Sequence, residues 1–547
     1  MSAISLENIS FSYSSKPLLE NISLQVEKGE RAFLVGRNGC GKTTLLRIAS
    51  QDLLPEQGKV KVVGTNTEFF QVPAIEHFRG SARDYLECAL CPLRNIATQF
   101  QDATNQISQG VSAVHAEQCY DRLLALMSCF DIWSLEARLT EVLARLGLGV
   151  LTGSGRDRSL SSMSPGERGR LQLAVTLIMK PEVLILDEPT NHLDARAIDF
   201  LVGTVNNWKG AVLMSSHDRA FIEDTATVIY DMDVALWNEL AKATGSSQAT
   251  GSSQATGLYR CAGAYSKYLA EKTNARRKHR ELHAAQQAEK RLLRKHRQEA
   301  SKIARGGVRL ASGEGKAKKF FSDRAAATAQ RRMRNDDNRG ERLNEKEVRK
   351  PRSYDLTFEF KQPAARTGVA VAARNAAVAG RLAPVSFDLS CGEHLLVTGA
   401  NGSGKSTLLT WIYREYPPAG AKSSGSICAE RKVGLVPQQL PQKGDPGFTA
   451  TVWENGIGEV GKGVLHPSLW RKPIPELSAG NQRRAQIALA LATAPSLLII
   501  DEPTNYLDLQ VMQALEAALK AWTGTVVVAS HDRWLINHWQ GRKINIC

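Results

Sequence analysis

Two distant stretches of the chain share a glycine-rich pattern that ends in a lysine and a hydroxyl residue. Residues 36–43 read GRNGCGKT and residues 399–406 read GANGSGKS. In such a loop, glycines let successive backbone N–H groups surround a phosphate, and the lysine and hydroxyl serve its oxygens and Mg²⁺. The sequence therefore predicts two nucleotide phosphate loops. Their predicted ATP contacts are Gly36, Asn38, Gly39, Gly41, Lys42, Thr43 and Thr44 in the first, and Gly399, Asn401, Gly402, Gly404, Lys405, Ser406 and Thr407 in the second.

Each loop has a matching pair of carboxylates at the end of an apolar run. Asp187 and Glu188 follow VLIL, and Asp501 and Glu502 follow LLII. The first carboxylate of a pair can join the shell of a Mg²⁺ ion, and the second can orient or deprotonate an attacking water. We therefore predict two hydrolytic sites, with Glu188 and Glu502 as catalytic residues.

Each phosphate loop and its carboxylate pair are accompanied by a histidine and a glutamine. His217 and His531 follow further apolar runs, where an imidazole can hydrogen-bond a γ-phosphate, and both are predicted to be catalytic. Gln71 and Gln438 follow short apolar segments and are candidate contacts for metal and water. The candidate metal ligands are then Thr43, Gln71, Asp187, Ser406, Gln438 and Asp501.

Two further motifs carry a family resemblance. Residues 164–167 read SPGE before a predicted helix at 168–179, and residues 187–194 read DEPTNHLD. They resemble the signature sequence and the Walker B strand with D-loop of ABC-type ATPases. The resemblance implies two cassettes that face each other head to tail within a monomer, each ATP lying between one phosphate loop and the other cassette's signature. The signature contacts it implies are Ser164, Gly166 and Glu167 in the first cassette and Ser478 and Gly480 in the second.

The two cassettes differ where the resemblance places the adenine base. Tyr13, 23 residues before Gly36, resembles the aromatic that stacks on adenine, although a core position is the alternative for a lone aromatic. The same count back from Gly399 reaches Ala376, so no stacking aromatic is expected there. Asn481 also stands where the family has Gln or Glu. We expect two hydrolytic sites that use ATP and Mg²⁺ but are unequal.

Short strands and the helices that follow them must position these residues. Alternating apolar residues predict strands at 4–9 and 22–26, and the run 32–35 leads into the first phosphate loop, with a helix from about Thr44. The predicted fold class is α/β, with two ABC-type P-loop ATPase domains joined by a long basic α-helical hairpin. Further strands are predicted at 183–187, 211–214, 395–398, 497–500 and 526–530.

The segment between the cassettes holds the chain's excess charge. Residues 271–352 contain 26 Lys and Arg against 11 Asp and Glu, whereas the other 465 residues contain 44 of each. A surplus of this size repels itself, which favours a polyanionic partner over a merely solvated surface. The sequence predicts helices at 265–303 and at 322–348, the second with an interruption near Gly340. A flexible, RNA-contacting tip is predicted between them, with Arg305, Arg309, Lys316, Lys318, Lys319, Phe320 and Phe321.

The whole arrangement resembles the ABC-F family, in which tandem ATPases without membrane domains carry such a hairpin. The resemblance implies binding to the ribosome, with the hairpin directed at rRNA and toward the P-site tRNA. We predict a first cassette at 1–261 with a helical arm at about 80–135, a hairpin at 262–352, and a second cassette at 353–547. The arm is predicted as helices at 85–107 and 116–144.

The composition narrows the class of function. The longest tempting uncharged run, residues 485–500, is broken by Pro495, so no membrane span or stable membrane partner is expected. The first ten residues lack a secretory pattern, and nine scattered cysteines suit a reducing compartment, which predicts a cytoplasmic protein.

Within the ABC-F resemblance, protection of the ribosome from antibiotics is favoured over a general translation factor, because the hairpin is long and basic and only 16 residues follow His531. A tandem ATPase subunit of a membrane transporter is the alternative from another class. It needs neither an arm nor a basic connector. A DNA-repair ATPase is disfavoured because zinc-finger cysteines are lacking.

Overall fold

The computed structural model describes residues 2–15, 17–63, 75–76, 78–108, 113–191, 193–244, 257–306, 315–345, 347–350, 358, 362, 367–400, 402–417, 420, 422–430 and 432–546. At the far end of the hairpin, the structure describes the backbone of residues 300–306 and 315–326 but not their side chains.

The first cassette contains an antiparallel sheet of order β2-β1-β4 and a mainly parallel sheet of order β5-β6-β3-β7-β8. Because β5, β6 and β3 run parallel, the loops at their carboxyl ends share one edge of the sheet. The phosphate loop, the paired carboxylates and His217 therefore lie together. The strands are β1 Ser2–Phe11, β2 Leu19–Glu27, β3 Arg31–Val35, β4 Gln57–Val62, β5 Val183–Asp187, β6 Ala211–Ser215, β7 Val228–Asp231 and β8 Tyr259–Ala262.

The second cassette repeats this plan with sheets of order β10-β9-β12 and β13-β14-β15-β11-β16. Its larger sheet is parallel throughout, whereas the first cassette's sheet ends in the antiparallel strand β8, which leads into the hairpin. The strands are β9 Val369–Val378, β10 Leu382–Ser390, β11 His394–Gly399, β12 Ser423–Ala429, β13 Val433–Val436, β14 Leu497–Asp501, β15 Thr525–Ala529 and β16 Arg542–Ile546.

The helices cover the parallel sheets and build the arm and the hairpin. In the first cassette they are α1 Lys42–Ala49, α2 Ala82–Ser108, α3 Ala113–Cys129, α4 Leu135–Arg145, α5 Pro165–Met179, α6 Ala195–Asn206, α7 Arg219–Thr225 and α8 Ala235–Thr244. The hairpin consists of α9 Tyr265–Gly306 and α10 Gly315–Glu345. The second cassette has α11 Lys405–Arg414, α12 Ala450–Asn455, α13 Ala479–Ala492, α14 Leu509–Ala521 and α15 Arg533–His538.

The arm differs from its prediction in one place. The sequence predicted a single helix at 116–144, which is wrong, because α3 ends at Cys129 and α4 begins at Leu135. Asp131 adopts φ 48°, a left-handed conformation that cannot continue a right-handed helix, and a short 3-10 turn follows at Ile132–Ser134. Ile132 is buried, so this turn packs the base of the arm against the cassette core.

The hairpin also departs from its prediction. Its second helix begins at Gly315 rather than near residue 322, and it passes through Gly340 without the predicted interruption. A helical glycine costs about 1 kcal/mol, which the adjoining ion pair of Arg339 with Glu289 on α9 at 2.6 Å helps to offset. Residues 316–321, predicted on a flexible tip, are therefore helical in their backbone. Residues 307–314 lie outside the described residues.

Buried polar contacts anchor the root of the hairpin in the first cassette. Tyr265 and Tyr268, in the first turn of α9, are buried. The Lys272 ammonium lies 2.7 Å from the Asp231 carboxylate at the end of β7, and the Tyr268 hydroxyl donates to the same carboxylate at 2.8 Å. A network of buried partners fixes the direction in which α9 leaves the domain. Among the described helices, none has the length and apolar character needed to cross a membrane.

Candidate functional site

Both phosphate loops have a backbone shape that only glycine adopts readily. Gly41, just before α1, has φ 98°, and a Cβ placed on it would lie 2.6 Å from the Leu19 side chain. Gly404, just before α11, has φ 96°, and its Cβ would lie 3.0 Å from the Leu382 Cα. The loops therefore keep open backbone N–H groups next to a helix N-terminus, which is the requirement for cradling phosphates.

The lysines of these loops point back over the cradles. Lys42 Nζ donates to the carbonyl oxygens of Gly36 at 3.1 Å and Arg37 at 3.2 Å. Lys405 Nζ makes the equivalent bonds to Gly399 and Ala400 at 2.9 and 3.0 Å. Each ammonium is thus held over its own loop, and its contact with the oxygens of a triphosphate stays a prediction. Asn401, predicted for the same role in the second loop, is outside the described residues.

The carboxylate that is predicted to be catalytic in the first cassette lies beside its histidine. Glu188 Oε2 accepts a hydrogen bond from the backbone N–H of His217 at 3.0 Å, and Glu188 Oε1 lies 3.3 Å from His217 Nε2. Burial raises the pKa of Glu188 to about 7 and lowers the pKa of His217 to about 4. Near neutral pH, Glu188 can therefore take up and release a proton, while the imidazole of His217 is uncharged.

In the second cassette the same pair is joined more tightly. Glu502 is buried, its Oε1 lies 2.8 Å from His531 Nδ1, and its Oε2 accepts from the Ser530 hydroxyl at 3.3 Å. The hydrogen bond to Glu502 raises the pKa of His531. The two cassettes thus hold the same residue types with different proton affinities.

The predicted metal ligands lie at the same strand ends. Asp501 is buried at the end of β14, and its Oδ1 has no hydrogen-bond partner among the described residues. Burial raises the pKa of Asp501, while a hydrogen bond from Ser406 and the charge of Lys405 oppose that rise. A buried carboxylate oxygen beside a loop hydroxyl suits a Mg²⁺ ion, so these residues fit the predicted ion.

The remaining predicted ligands are less constrained. Asp187, at the end of β5, accepts a hydrogen bond from the Ser215 hydroxyl, and Thr43 is exposed in the first turn of α1. Gln438 is exposed in the loop after β13, while Gln71 lies outside the described residues. Their coordination of a metal stays a prediction.

The two signature segments start their helices differently. Ser164 and Glu167 form a capping box: Ser164 Oγ accepts from the Glu167 N–H at 3.2 Å, and Glu167 Oε2 accepts from the Ser164 N–H at 2.8 Å. These bonds and Arg158 lower the pKa of Glu167 to about 2. With Asn481 in place of that glutamate, Ser478 begins α13 without a side-chain cap hydrogen bond. Its hydroxyl is available for another acceptor.

The signature of the second cassette faces the phosphate loop of the first. A Cβ on Gly480 would lie 3.9 Å from the side-chain amide nitrogen of Asn38. Gln510, at the start of α14, donates to Asp233 of the first cassette at 3.1 Å. This is the arrangement in which one cassette completes the other's nucleotide site. The reciprocal contact of Ser164 and Gly166 with the second loop stays a prediction.

Two arginines tie the cassettes together, and sequence reasoning missed both. Arg219 is fully buried and contacts the Glu516 and Asp532 carboxylates at 2.6 and 3.0 Å. Its counterpart Arg533 is partly exposed and contacts the carboxylates of Asp199 and Asp224 at 3.1 and 3.2 Å. The signal was present in the sequence, because the tripeptide HDR occurs at 217–219 and again at 531–533. Each arginine thus lies two residues after a predicted catalytic histidine.

A third arginine was also missed. Arg483 is fully buried in α13, and its guanidinium donates to the backbone carbonyls of Asp501 at 2.6 Å and Glu502 at 3.0 Å. It also donates to the carbonyl of Pro437, next to Gln438. Burial lowers the pKa of Arg483 to about 10. The equivalent position in the first cassette, five residues after the signature serine, is Gly169.

The exposure of Tyr13 excludes one of the two roles that the sequence allowed for it. Its side chain is 64% exposed, and its ring stands edge-on to Phe11 with 4.9 Å between the centroids. The alternative of a core residue is therefore wrong, while stacking on adenine stays a prediction. In the second cassette, Ala376 is buried within β9, opposite Val385 on β10.

Comparisons with known proteins agree with this geometry. The ABC transporter family model matches residues 19–191 and 382–505, which include both phosphate loops and both carboxylate pairs. The chain is 30% identical over 571 aligned residues to the tylosin resistance ATP-binding protein TlrC of Streptomyces fradiae, covering 100% of this chain and 97% of that protein. It is 27% identical to ABC transporter F family member 2 of Arabidopsis thaliana, covering 100% of this chain and 76% of that protein.

A solved structure shares the fold. The complex of an archaeal ribosomal stalk protein with an archaeal ribosome recycling factor aligns with 98% of this chain and 87% of its own, with a TM-score of 0.52 and 16% identity. At that identity the similarity shows the tandem-cassette fold alone.

Proposed function

Since the chain belongs to the ABC family of ATPases and within it to the ABC-F group, we propose that it is an ATP-hydrolysing, ribosome-binding protein. We further propose that it protects the ribosome from antibiotics acting at the peptidyl-transferase centre or the exit tunnel. The observation that carries this proposal is the full-length similarity to a tylosin resistance protein, in a chain with a strongly basic hairpin between its cassettes. We also propose that the protein acts in the cytoplasm, where ribosomes are found. It would act there as a monomer without a membrane partner.

The hydrolytic part of the proposal rests on the two carboxylate sites. Lys42 and Lys405 hold the triphosphate in its loop, and Glu188 and Glu502 orient or deprotonate the attacking water. Thr43 with Asp187, and Ser406 with Asp501, would hold Mg²⁺, which neutralises phosphate oxygens when bound. The uncharged imidazole of His217 can hydrogen-bond a γ-phosphate without a net charge of its own.

Closure of the cassettes is the step that ATP would control. Gly480 lies near Asn38, since a Cβ built on it would be 3.9 Å from the Asn38 amide nitrogen, and this supports a shared site between the second signature and the first phosphate loop. Arg219 and Arg533, whose ion pairs join the cassettes, each lie two residues after a histidine that is proposed to hydrogen-bond the γ-phosphate. In this scheme ATP favours the closed, ribosome-bound state, and hydrolysis releases it.

The ribosomal contact is assigned to the hairpin by its charge. Three of its described carboxylates pair with cations of the hairpin: Glu289 with Arg339 at 2.6 Å, Glu347 with Lys290 at 2.7 Å, and Asp337 with Arg297 at 3.5 Å. The surplus cations therefore face outward, and Arg277, Lys278, Arg291, Arg294 and Lys295 are exposed along α9. Phosphate contacts of this kind give affinity without sequence specificity, which suits rRNA and P-site tRNA. The tip residues predicted from the sequence at 305–321 add further cations to the hairpin.

Drug susceptibility tests the protective function. Wild-type chain and the Glu188→Gln/Glu502→Gln variant would be expressed in a sensitive host, and inhibitory concentrations measured for macrolides, lincosamides, streptogramins, pleuromutilins and phenicols. We expect wild type to raise the inhibitory concentration for at least one class, and the variant to lose that effect because it cannot complete the cycle. If wild type protects against no class, the protective function is wrong, and a general translation factor becomes the better assignment.

A further inference from the structure

A cavity of about 880 Å³ lies where the first cassette, the root of the hairpin and the second cassette meet. The first cassette contributes Arg37 of its phosphate loop and part of α8, and the hairpin contributes part of α9 and the segment after α10. The second cassette contributes residues 463–466, Arg484 of α13 and part of α14. Among the described residues that line this junction cavity, none is a predicted ATP contact.

The lining of the junction cavity is strongly basic. Seven of its side chains are Lys or Arg, and three are Asp or Glu. Like charges that line one cavity repel each other, and this repulsion falls when an anion binds among them. The walls therefore favour a negatively charged occupant. The cations are Arg37, Lys272, Arg276, Arg280, Arg349, Lys350 and Arg484.

Each carboxylate in the lining already pairs with one of these cations. Arg276 on α9 is half-buried and Lys350 after α10 is exposed, and neither forms an ion pair with a described residue. An incoming anion therefore meets these two cations without first breaking a pair. The existing pairs are Asp233 with Arg37 at 3.1 Å, Asp508 with Arg484 at 3.1 Å and Glu239 with Arg349 at 3.6 Å.

Two of the cations come from opposite cassettes and lie close to each other. Arg37 follows the first glycine of the first phosphate loop, and Arg484 lies in α13, the signature helix of the second cassette. Burial lowers the pKa of Arg484 and the charge of Arg37 lowers it further, while the charge of Asp508 opposes both. An anion between the two guanidinium groups relieves their repulsion. Because it would bind only when the cassettes are together, it would also stabilise the closed arrangement.

The chemistry of the walls fits a chain of phosphoryl groups. Five of the seven cations are arginines, whose planar guanidinium groups match the oxygens of a phosphate. Since the cations stand on walls from three parts of the chain, two or more linked phosphoryl groups can contact more of them than one phosphate ion can. The volume lies in the range of small-molecule sites, about 300–1,000 Å³.

We propose that the junction cavity binds a small molecule that carries a diphosphate or a longer phosphate chain. Arg276 and Lys350 of the hairpin and Arg37 and Arg484 of the cassettes are its phosphate contacts. The site is additional to the two predicted nucleotide sites, and its occupant ties the hairpin root to both cassettes. Binding at this site requires neither the ribosome nor hydrolysis.

Equilibrium dialysis with radiolabelled pyrophosphate tests the site in the full-length protein. The Glu188→Gln/Glu502→Gln variant is first loaded with ATP and Mg²⁺ and freed of unbound nucleotide, so that both nucleotide sites stay filled. We expect one pyrophosphate to bind per chain in addition to the retained ATP. A second arm uses labelled GDP, whose diphosphate is the same chemistry on a nucleoside. Tighter binding of GDP assigns the site to a nucleotide, and tighter binding of pyrophosphate assigns it to an inorganic anion.

A pair of charge variants in the same background locates the binding. Arg276→Gln/Lys350→Gln should weaken pyrophosphate binding by at least about tenfold, because two charged hydrogen bonds to phosphate are lost. The matched control Arg277→Gln/Lys278→Gln removes the same charge from the exposed side of α9, outside the lining of the cavity. It should change the affinity by less than about twofold.

A third variant tests the cavity without changing its charge. Ala517 on α14 is exposed at the wall that the second cassette contributes. Ala517→Trp should fill the cavity with an indole ring and abolish pyrophosphate binding. Retention of ATP by each variant shows that the protein is folded and that its nucleotide sites are intact.

The outcomes separate this site from the proposed function. Failure of the ATP-loaded protein to bind either probe would overturn the site, and so would an equal loss of affinity in the cavity variant and in its control. Unchanged binding in Ala517→Trp would also overturn it. The ATPase and ribosomal assignments would stand in each of these cases.

Discussion

The two cassettes share their motifs but place them in different surroundings. In the first, Glu188 lies 3.3 Å from His217, whose pKa is lowered. Gly169 occupies the position of its signature helix that corresponds to Arg483 in the second cassette. In the second, Glu502 lies 2.8 Å from a histidine whose pKa is raised, and Arg483 binds the backbone of the carboxylate pair. Motif identity therefore does not imply equal sites. The pKa shifts of the two histidines run in opposite directions, and only the second site has an arginine bound to the backbone of its carboxylate pair.

The interface arginines give the largest expected contrast. The Arg219→Met substitution removes the cation that pairs with Glu516 and Asp532, and breaking a buried ion pair costs about 3–5 kcal/mol. Arg533→Met removes a partly exposed pair and should cost at most about 1 kcal/mol. The free energy of unfolding in urea measures both. Equal losses would show that the burial of Arg219 is not what distinguishes the two cassettes.

Arg483 allows a matched exchange between the cassettes. Arg483→Gly removes the guanidinium that donates to the carbonyls of Pro437, Asp501 and Glu502 and should destabilise the protein by about 3 kcal/mol. The reverse change Gly169→Arg should be nearly neutral, because a Cβ on the exposed Gly169 meets no atom within 4 Å. Thermal unfolding of the two variants checks this. A large effect of Gly169→Arg, or none of Arg483→Gly, would contradict the asymmetry.

The pH dependence of hydrolysis gives a smaller contrast. With Glu502→Gln only the first site works, and its base Glu188 has a pKa of about 7, so it loses its proton as the pH rises through neutrality. Its rate should increase about fivefold between pH 6 and pH 7 and less than twofold more between pH 7 and pH 8. With Glu188→Gln the profile should have a different shape, because the hydrogen bond to Glu502 raises the pKa of His531, whereas burial lowers the pKa of His217. Steady-state hydrolysis rates of the two variants across this pH range check the prediction. Parallel pH profiles would count against a difference between the two sites.

The sequence predicted the local chemistry better than the contacts between distant segments. The phosphate loops and carboxylate pairs could be placed because each motif is a run of neighbouring residues on a strand end or helix start. The partners of Arg219, nearly 300 residues away along the chain, depend on how the cassettes meet, which no local pattern encodes. The break in the arm at Asp131 was missed because a left-handed residue has no periodic signal.

Burial was the other quantity that the sequence could not supply. The sequence left Tyr13 open between a core position and the nucleotide site, and only its exposure in the fold excluded the core. Arg483 looks like one more cation in a helix, and its role follows from three backbone carbonyls that the fold brings to it.

Ribosome co-sedimentation tests the central claim most directly. The claim is that a basic hairpin, carried between two ATPase cassettes, binds the ribosome in the ATP-bound state. We expect Glu188→Gln/Glu502→Gln to pellet with ribosomes in ATP far more than wild type, with an affinity that falls steeply as salt rises. Replacing the exposed cations Arg277, Lys278, Arg291, Arg294 and Lys295 with glutamine in that variant should reduce both the binding and its salt dependence. Equal retention of wild type and the double variant, or full retention after the charges are removed, would contradict the account.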